Sequence, residues 1–252
     1  MALLEVCCGN LESVDAAVAG GARRIELCAD LELDGLTPPM AWLRAVKEKY
    51  PELIVHVLIR PREGDFVYSP EEADLMALQI ESALAFGADG IVVGCLTADG
   101  DVDVALMDHL VSLVESFNLA TELDRSDFCH AANDGHFFLD PARRVSITFH
   151  RAFDRCRQPF GALEQIIGLG CDRILTSGQA PTVEEGVDML RKLRRRARGR
   201  LIILPGGGVT PENAASILAL TGCTEIHASA SETIDGKKKT STERVEAILQ
   251  AL

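Results

Sequence analysis

Gly21-Ala22-Arg23-Arg24-Ile25-Glu26-Leu27 decides the fold, because a phrase of the same kind returns three more times. Gly87-Ala88-Asp89-Gly90-Ile91-Val92-Val93, Gly170-Cys171-Asp172-Arg173-Ile174-Leu175-Thr176 and Gly222-Cys223-Thr224-Glu225-Ile226-His227-Ala228 follow the same physical logic. A helix ends at a glycine that takes the left-handed cap, a small and a polar residue turn the chain, and a short apolar strand follows.

Outward from these phrases, the apolar runs at 3–7, 54–59, 145–148 and 201–204 read as four further strands, which makes eight. Helical periodicity separates them at 11–19, 40–49, 70–86, 102–117, 160–168, 183–197, 211–219 and 241–252. Pro70 and Pro211 suit a first helical turn, with Ser69 and Thr210 as N-caps. Eight strand-then-helix units in 252 residues predict an α/β chain closed into a (β/α)8 (TIM) barrel, a single domain over 1–252. An open doubly wound sheet would instead carry a glycine-rich turn after the first strand, and that turn reads Cys7-Cys8-Gly9-Asn10. The segment 124–144 breaks the repeat and is expected to be an insertion between the fourth helix and the fifth strand. It contains Cys129, His130 and His136, a weak candidate metal site.

Composition narrows the class. The chain is 47% hydrophobic and only 5% aromatic, so aliphatic side chains must build the core. A net charge of -13 disfavours nucleic acid as a partner. The basic run from Arg191 to Arg198 reads as the solvated end of a helix, where cations complement the dipole, and Lys237-Lys238-Lys239 as a loop. The eight cysteines are scattered without a CxxC pair. With no signal-peptide pattern and no bilayer-length apolar run, the expectation is a cytoplasmic protein without a membrane partner, whose cysteines are mostly small buried hydrophobes.

Strand alternation then says what faces the lumen. Glu5 and Cys7 share a face of the first strand, and Arg24, Glu26 and Cys28 share one on the second. The third carries His56, Leu58 and Arg60, followed by Arg62; the eighth carries Glu225, His227 and Ser229. The fifth ends in Thr148-Phe149-His150-Arg151-Ala152-Phe153-Asp154, which gathers a histidine, an arginine and a carboxylate at a carboxyl-terminal strand end. Buried charge must be paired, so Glu5 or Glu26 clamped by Arg60 is expected. Three loops suggest an anion cradle: Thr176-Ser177-Gly178, Gly206-Gly207-Gly208 and Ser229-Ala230-Ser231.

These residues resemble the CutC family. The resemblance is carried by Glu5-Val6-Cys7, Arg24-Ile25-Glu26-Leu27-Cys28, Gly35-Leu36-Thr37-Pro38, Ile59-Arg60-Pro61-Arg62, Gly64-Asp65-Phe66-Val67-Tyr68-Ser69, Thr148 to Asp154, Ile174-Leu175-Thr176-Ser177-Gly178, Gly206-Gly207-Gly208-Val209 and His227-Ala228-Ser229, nearly end to end. It implies a cytoplasmic (β/α)8 barrel, often a homo-oligomer, in a family named for copper homeostasis, with monovalent copper proposed as the metal its cysteines bind. Two departures stand out: Asp34-Gly35 where the family carries Gly-Gly, and a longer segment around His130 and His136.

Two functions follow. As a copper homeostasis protein, the chain would hold copper(I) with Cys7 and Cys28, which neighbouring strands bring within roughly 5 Å, and Cys8 is a third candidate. As an enzyme on a small, phosphorylated metabolite, it would use His150 or His56 as acid or base, oriented by Glu26, with Asp154 beside them. Arg60, Arg62 and Arg151 would hold anionic oxygens, Ser177, Gly178, Gly207, Gly208 and Ser229 the phosphate, and Glu5, Thr148 and His227 would line the ligand.

Overall fold

Each short apolar run does become a strand. The computed structural model describes residues 2–127, 144–234 and 237–252. Its parallel strands are β1 (Leu3–Cys8), β2 (Arg24–Leu27), β3 (Ile54–Leu58), β4 (Gly90–Val93), β5 (Ser146–Phe149), β6 (Arg173–Thr176), β7 (Ile202–Pro205) and β8 (Glu225–Ala228). They pair in the order β7-β6-β5-β4-β3-β2-β1-β8. The two end strands pack on each other, so the sheet curls into a nearly closed barrel. Helices α1 (Leu11–Ala19), α2 (Met40–Lys49), α3 (Pro70–Ala85), α4 (Val104–Asp127), α5 (Pro159–Gly168), α6 (Val187–Ala197), α7 (Ala214–Thr221) and α8 (Thr242–Ala251) follow the strands in turn.

The repeated phrase works as its chemistry dictates. Gly21, Gly87, Gly170 and Gly222 all take positive φ, between 72° and 90°, at the turn from helix to strand. The start of α3 is equally legible: the Ser69 hydroxyl accepts from the Glu72 N–H, the Glu72 carboxylate accepts from the Ser69 N–H at 2.8 Å, and Pro70 fills the first turn.

Four local expectations change. Helix α4 continues to Asp127, so residues 124–127 are helix rather than inserted loop. Residues 128–143, with Cys129, His130 and His136, lie outside the described residues. Helix α7 begins at Ala214, because Thr210 and Pro211 form a separate turn in which the Asn213 side chain accepts from the Thr210 N–H at 2.8 Å. Lys237-Lys238-Lys239 is a strand: β10 (Lys237–Thr240) pairs antiparallel with β9 (Ser231–Ile234) in a hairpin after β8. The expected start of α6 at residue 183 moves to Val187, because turns occupy the preceding residues.

The core divides as strand alternation requires. Val6, Ile25, Leu27, Val55, Val57, Ile91, Ile147, Phe149, Ile174, Ile203 and Ile226 point outward into one continuous apolar layer beneath the helices. Inside the barrel the apolar cluster is small: Cys7, Cys28, Leu58 and Val92, with Leu31 against them. Most of the remaining lumen is polar, and the fourth strand makes room for it. A side chain at Gly90 would meet the His56 ring at 2.4 Å, and one at Gly94 would meet the His150 ring at 2.6 Å. Both imidazoles therefore occupy space that only glycine leaves open.

Candidate functional site

The register stacks charges in the lower lumen. Glu5 lies opposite Arg24 on one side and His227 on the other. Fully buried, it is engaged by three strands: Arg24 Nε at 2.7 Å, His56 Nδ1 at 2.8 Å and His227 Nδ1 at 2.9 Å. Burial alone would push its carboxyl up; the cations and hydrogen bonds of His56, Arg24 and His227 hold it well below the usual carboxylate range. Arg24 then reaches Glu225 at 2.5 Å, and Arg173 reaches the same carboxylate at 2.9 Å. The Ser146 hydroxyl lies 3.3 Å from His56 Nε2. These side chains form one ion-pair network. Arg24 clamps Glu5, and the clamp expected from Arg60 is not made. Arg60 lies one level higher and spends its guanidinium on carbonyls: Leu33 at 2.7 Å, Gly35 at 2.9 Å and Gly64 at 3.2 Å.

Above the network, at the carboxyl ends of the strands, opens a cavity of ≈ 210 Å³. Cys7, Glu26 and His227 line it together with Arg60, His150, Arg151 and Asp154. Of these, Cys7, Glu26 and His227 each present a ligand atom within 4.8 Å of the others. Glu5 engages His227 at Nδ1, and the same ring presents a nitrogen within 4.8 Å of the ligand atoms of Cys7 and Glu26. Burial disfavours charge on His227, yet its bonds to Cys7 and Glu5 and the nearby Glu26 raise its pKa well above the ordinary value. Burial pushes the Glu26 carboxyl up, with His227 opposing that shift. The hydrogen bond with Cys28, burial and the neighbouring Glu26 push the Cys7 thiol up. The floor of the cavity is thus a proton-holding set of soft and hard donors.

Cys7 and Cys28 do meet, with sulfurs 3.5 Å apart. Cys28 sits behind Cys7 and does not line the cavity. Cys8 faces the outer apolar layer, its thiol donating to the Val6 carbonyl. His150 caps the turn after β5: its Nδ1 accepts the Ala152 N–H at 3.1 Å, and Phe66 lies over its ring at 5.0 Å. Burial, then Arg60, hold its pKa down at about 3.

Asp154 occupies the donors of one of the three loops expected to cradle an anion, the loop at Thr176 and Ser177. Its carboxylate accepts from the Thr176 and Ser177 hydroxyls and from the N–H groups of Ser177 and Gln179, and pairs with Arg151 Nε at 2.8 Å. Arg151 donates on to the Ser177 hydroxyl at 3.1 Å and lies against Gly207. Ser177, Gly178, Gly207, Gly208 and Ser229 are not among the residues lining this cavity, and Ser229 pairs with Ser231 at the surface. Four other expected residues also lie elsewhere. His56 is a floor below, inside the Glu5 network. Arg62 is held outside by Glu72 at 2.5 Å and Asp65 at 2.8 Å. Thr148 is buried without lining the cavity, and Glu5 acts beneath it. Arg173 was missed, since it opens its strand on the amino-terminal side, where no ligand is sought; its inward parity with Thr148 was the available signal.

Known proteins agree on the kinship. The model of the CutC family matches residues 2–137 and 136–232. A family protein CutC from Bacteroides thetaiotaomicron is 44% identical over 241 residues, 96% of this chain and 86% of its own. One from Chromobacterium violaceum is 43% identical over 228 residues, 90% of this chain and 81% of its own. A crystal structure described as that of a copper homeostasis protein CutC from Streptococcus agalactiae superposes with a TM-score of 0.77 at 27% identity, covering 91% of this chain and 99% of that one. The fold alone is shared with a KDPGal structure, TM-score 0.57 at 15% identity. On the full-length match of sequence and barrel, this chain belongs to the CutC family.

Proposed function

We propose that this chain binds monovalent copper at the floor of the cavity, as a copper homeostasis protein of the cytoplasm. The observation that supports it is the donor set: Cys7, Glu26 and His227 converge within 4.8 Å, and the Cys28 sulfur lies 3.5 Å from that of Cys7. Thiolate sulfur and imidazole nitrogen suit a soft monovalent ion, whereas Glu26 supplies the charge that balances it. The name of the Streptococcus agalactiae relative points the same way. Among the described residues every cysteine is a free thiol, as ligation requires. Cys7 must lose its proton to ligate, so uptake releases protons and strengthens as pH rises. X-ray absorption at the copper edge of the loaded, anaerobic protein is the test. Sulfur together with nitrogen or oxygen neighbours is expected; a shell of nitrogen and oxygen alone would remove Cys7 from the site.

A second reading has its own observation. Arg60 Nε and His150 Nε2 are buried on residues of the same cavity wall and have no partner. A metal ion needs neither, and both suit a small anionic metabolite, as substrate or bound ligand. Either activity is compatible with a homo-oligomer. Leu75 and Leu78 of α3 and Leu119 of α4 are exposed apolar side chains on two helices that pack together, a face suited to a second copy.

A further inference from the structure

We infer that Arg60, His150 and Arg151 form a subsite for a small 2-oxo carboxylate, with the Nε2–H of His150 donating to its carbonyl oxygen. This rests on the small-anion reading of the cavity and names the ligand class.

The hydrogen bonding of His150 fixes its tautomer. The Ala152 N–H donates to Nδ1 at 3.1 Å, so Nδ1 carries no proton. The ring is neutral, since burial and the adjacent Arg60 disfavour its cation. The single ring proton is therefore on Nε2, and Nε2 has no acceptor. Phe66 on one side and the bare backbone of Gly94 on the other hold the ring in place. A buried N–H left without an acceptor is costly unless a ligand supplies one. A neutral donor of this kind is suited to a carbonyl oxygen, which carries partial negative charge and can accept more.

Arg60 supplies the second argument. It is 5% exposed, its terminal nitrogens are bound to backbone carbonyls, and no carboxylate pairs with it among the described residues. Its face lies over the Phe66 ring at 5.3 Å, which offsets only part of a buried charge. A buried guanidinium without a counter-ion calls for an anion, and its Nε is still free to donate. Carboxylate beside carbonyl fits this pair, with one oxygen for each donor. Arg151 stands at the mouth, oriented by Asp154 and Ser177, and closes the charge around the ligand. The volume of ≈ 210 Å³ is below the roughly 300–1,000 Å³ of drug-sized sites, which restricts the ligand to a few carbons. Leu58, Phe66 and Leu175 line the space its carbon skeleton would take.

The experiment uses full-length, metal-free protein with 15N-labelled histidine, with pyruvate and oxalate as probes and inorganic phosphate as comparator. One ring should be neutral and Nε2-protonated from about pH 8 to 5, and should vanish from the spectrum of His150→Phe. Pyruvate and oxalate should move that Nε2–H signal, with binding in the millimolar range or tighter. His150→Phe and Arg60→Lys should each weaken binding by about tenfold or more. If His150→Phe does not fold, the tautomer and the shift in wild-type protein, with Arg60→Lys, decide the matter. An Nδ1–H tautomer, or no shift at saturating pyruvate and oxalate, overturns the inference. Phosphate binding with pyruvate excluded also overturns it, while sustaining the small-anion reading. Pyruvate bound and never converted upholds the subsite and removes the enzymatic form of that reading.

Discussion

Two floors of one barrel use the same residue types to opposite ends. On the lower floor Glu5, Arg24, His56, Glu225 and Arg173 pair charge to charge across strands β1, β2, β3, β6 and β8, with Arg173 Nη1 left without a partner. On the upper floor Arg60 Nε, His150 Nε2 and a Glu26 oxygen are buried and unsatisfied around an open cavity. Residue type alone does not separate structure from function here; what separates them is whether the unpaired atoms belong to residues that line an open cavity. A network whose charges pair with one another holds a shape, and unpaired polar groups on a cavity wall leave room for a ligand. His227 joins the floors, with Nδ1 on Glu5 below and its other edge toward Cys7 and Glu26.

The largest expected effect is on the lower floor. Glu5→Ala removes the one carboxylate that Arg24, His56 and His227 share. Breaking a buried pair in this way costs about 3–5 kcal/mol, readable as a shift in the urea midpoint. A loss below about 1 kcal/mol would mean that the lower network does not hold the barrel, and the contrast between floors would fail.

Acid should then unfold the protein in two stages. The His150 pKa is depressed to about 3, so from about pH 6.5 downward the unfolded chain takes up a proton that the folded one refuses. Stability falls with slope up to about 1.4 kcal/mol per pH unit until the folded pKa is reached. Glu5 and Glu225 have lowered pKa values. Their contribution is present above the ordinary carboxylate pKa of about 4.3 and disappears only as pH falls below it. His227 is raised, so its contribution is complete below about pH 6.5 and is lost as pH rises through its folded pKa. Denaturation at stepped pH should show the first stage vanish in His150→Phe and the second persist. An unchanged first stage in that variant would assign it elsewhere.

The smallest effect tests what belongs to neither floor. Arg62 is tied to Glu72 and Asp65 outside the cavity, on partly exposed side chains. Arg62→Ala should cost about 0.2–1 kcal/mol by thermal melting and leave copper and pyruvate binding unchanged. A binding defect would return Arg62 to the site.

Much of this was legible in the sequence. Gly-capped turns gave the strands, and period two placed Glu5, Glu26, Cys7, His56 and His227 inside. What alternation could not give was height along the barrel axis. His56 and His150 look alike on paper, yet the fold puts one against Glu5 and the other on the cavity wall. Pairing across distant strands was hidden too. Arg24 was read as an inward residue, but only the β1–β2 register shows that it, rather than Arg60, clamps Glu5. The Ser177 loop looked like an open anion cradle because nothing in its own residues reveals that Asp154, from another loop, fills it.

The most direct test of the upper floor is an anaerobic copper(I) titration against a competing chromophoric chelator, on wild-type protein and on Cys7→Ser shown to be folded. One tightly bound equivalent is expected for the wild type, with affinity reduced by at least about a hundredfold in the variant, since losing a ligand should exceed the 10–100-fold cost of losing one of its outer partners. Equal stoichiometry and affinity in both proteins would contradict the assignment of copper to the cavity floor.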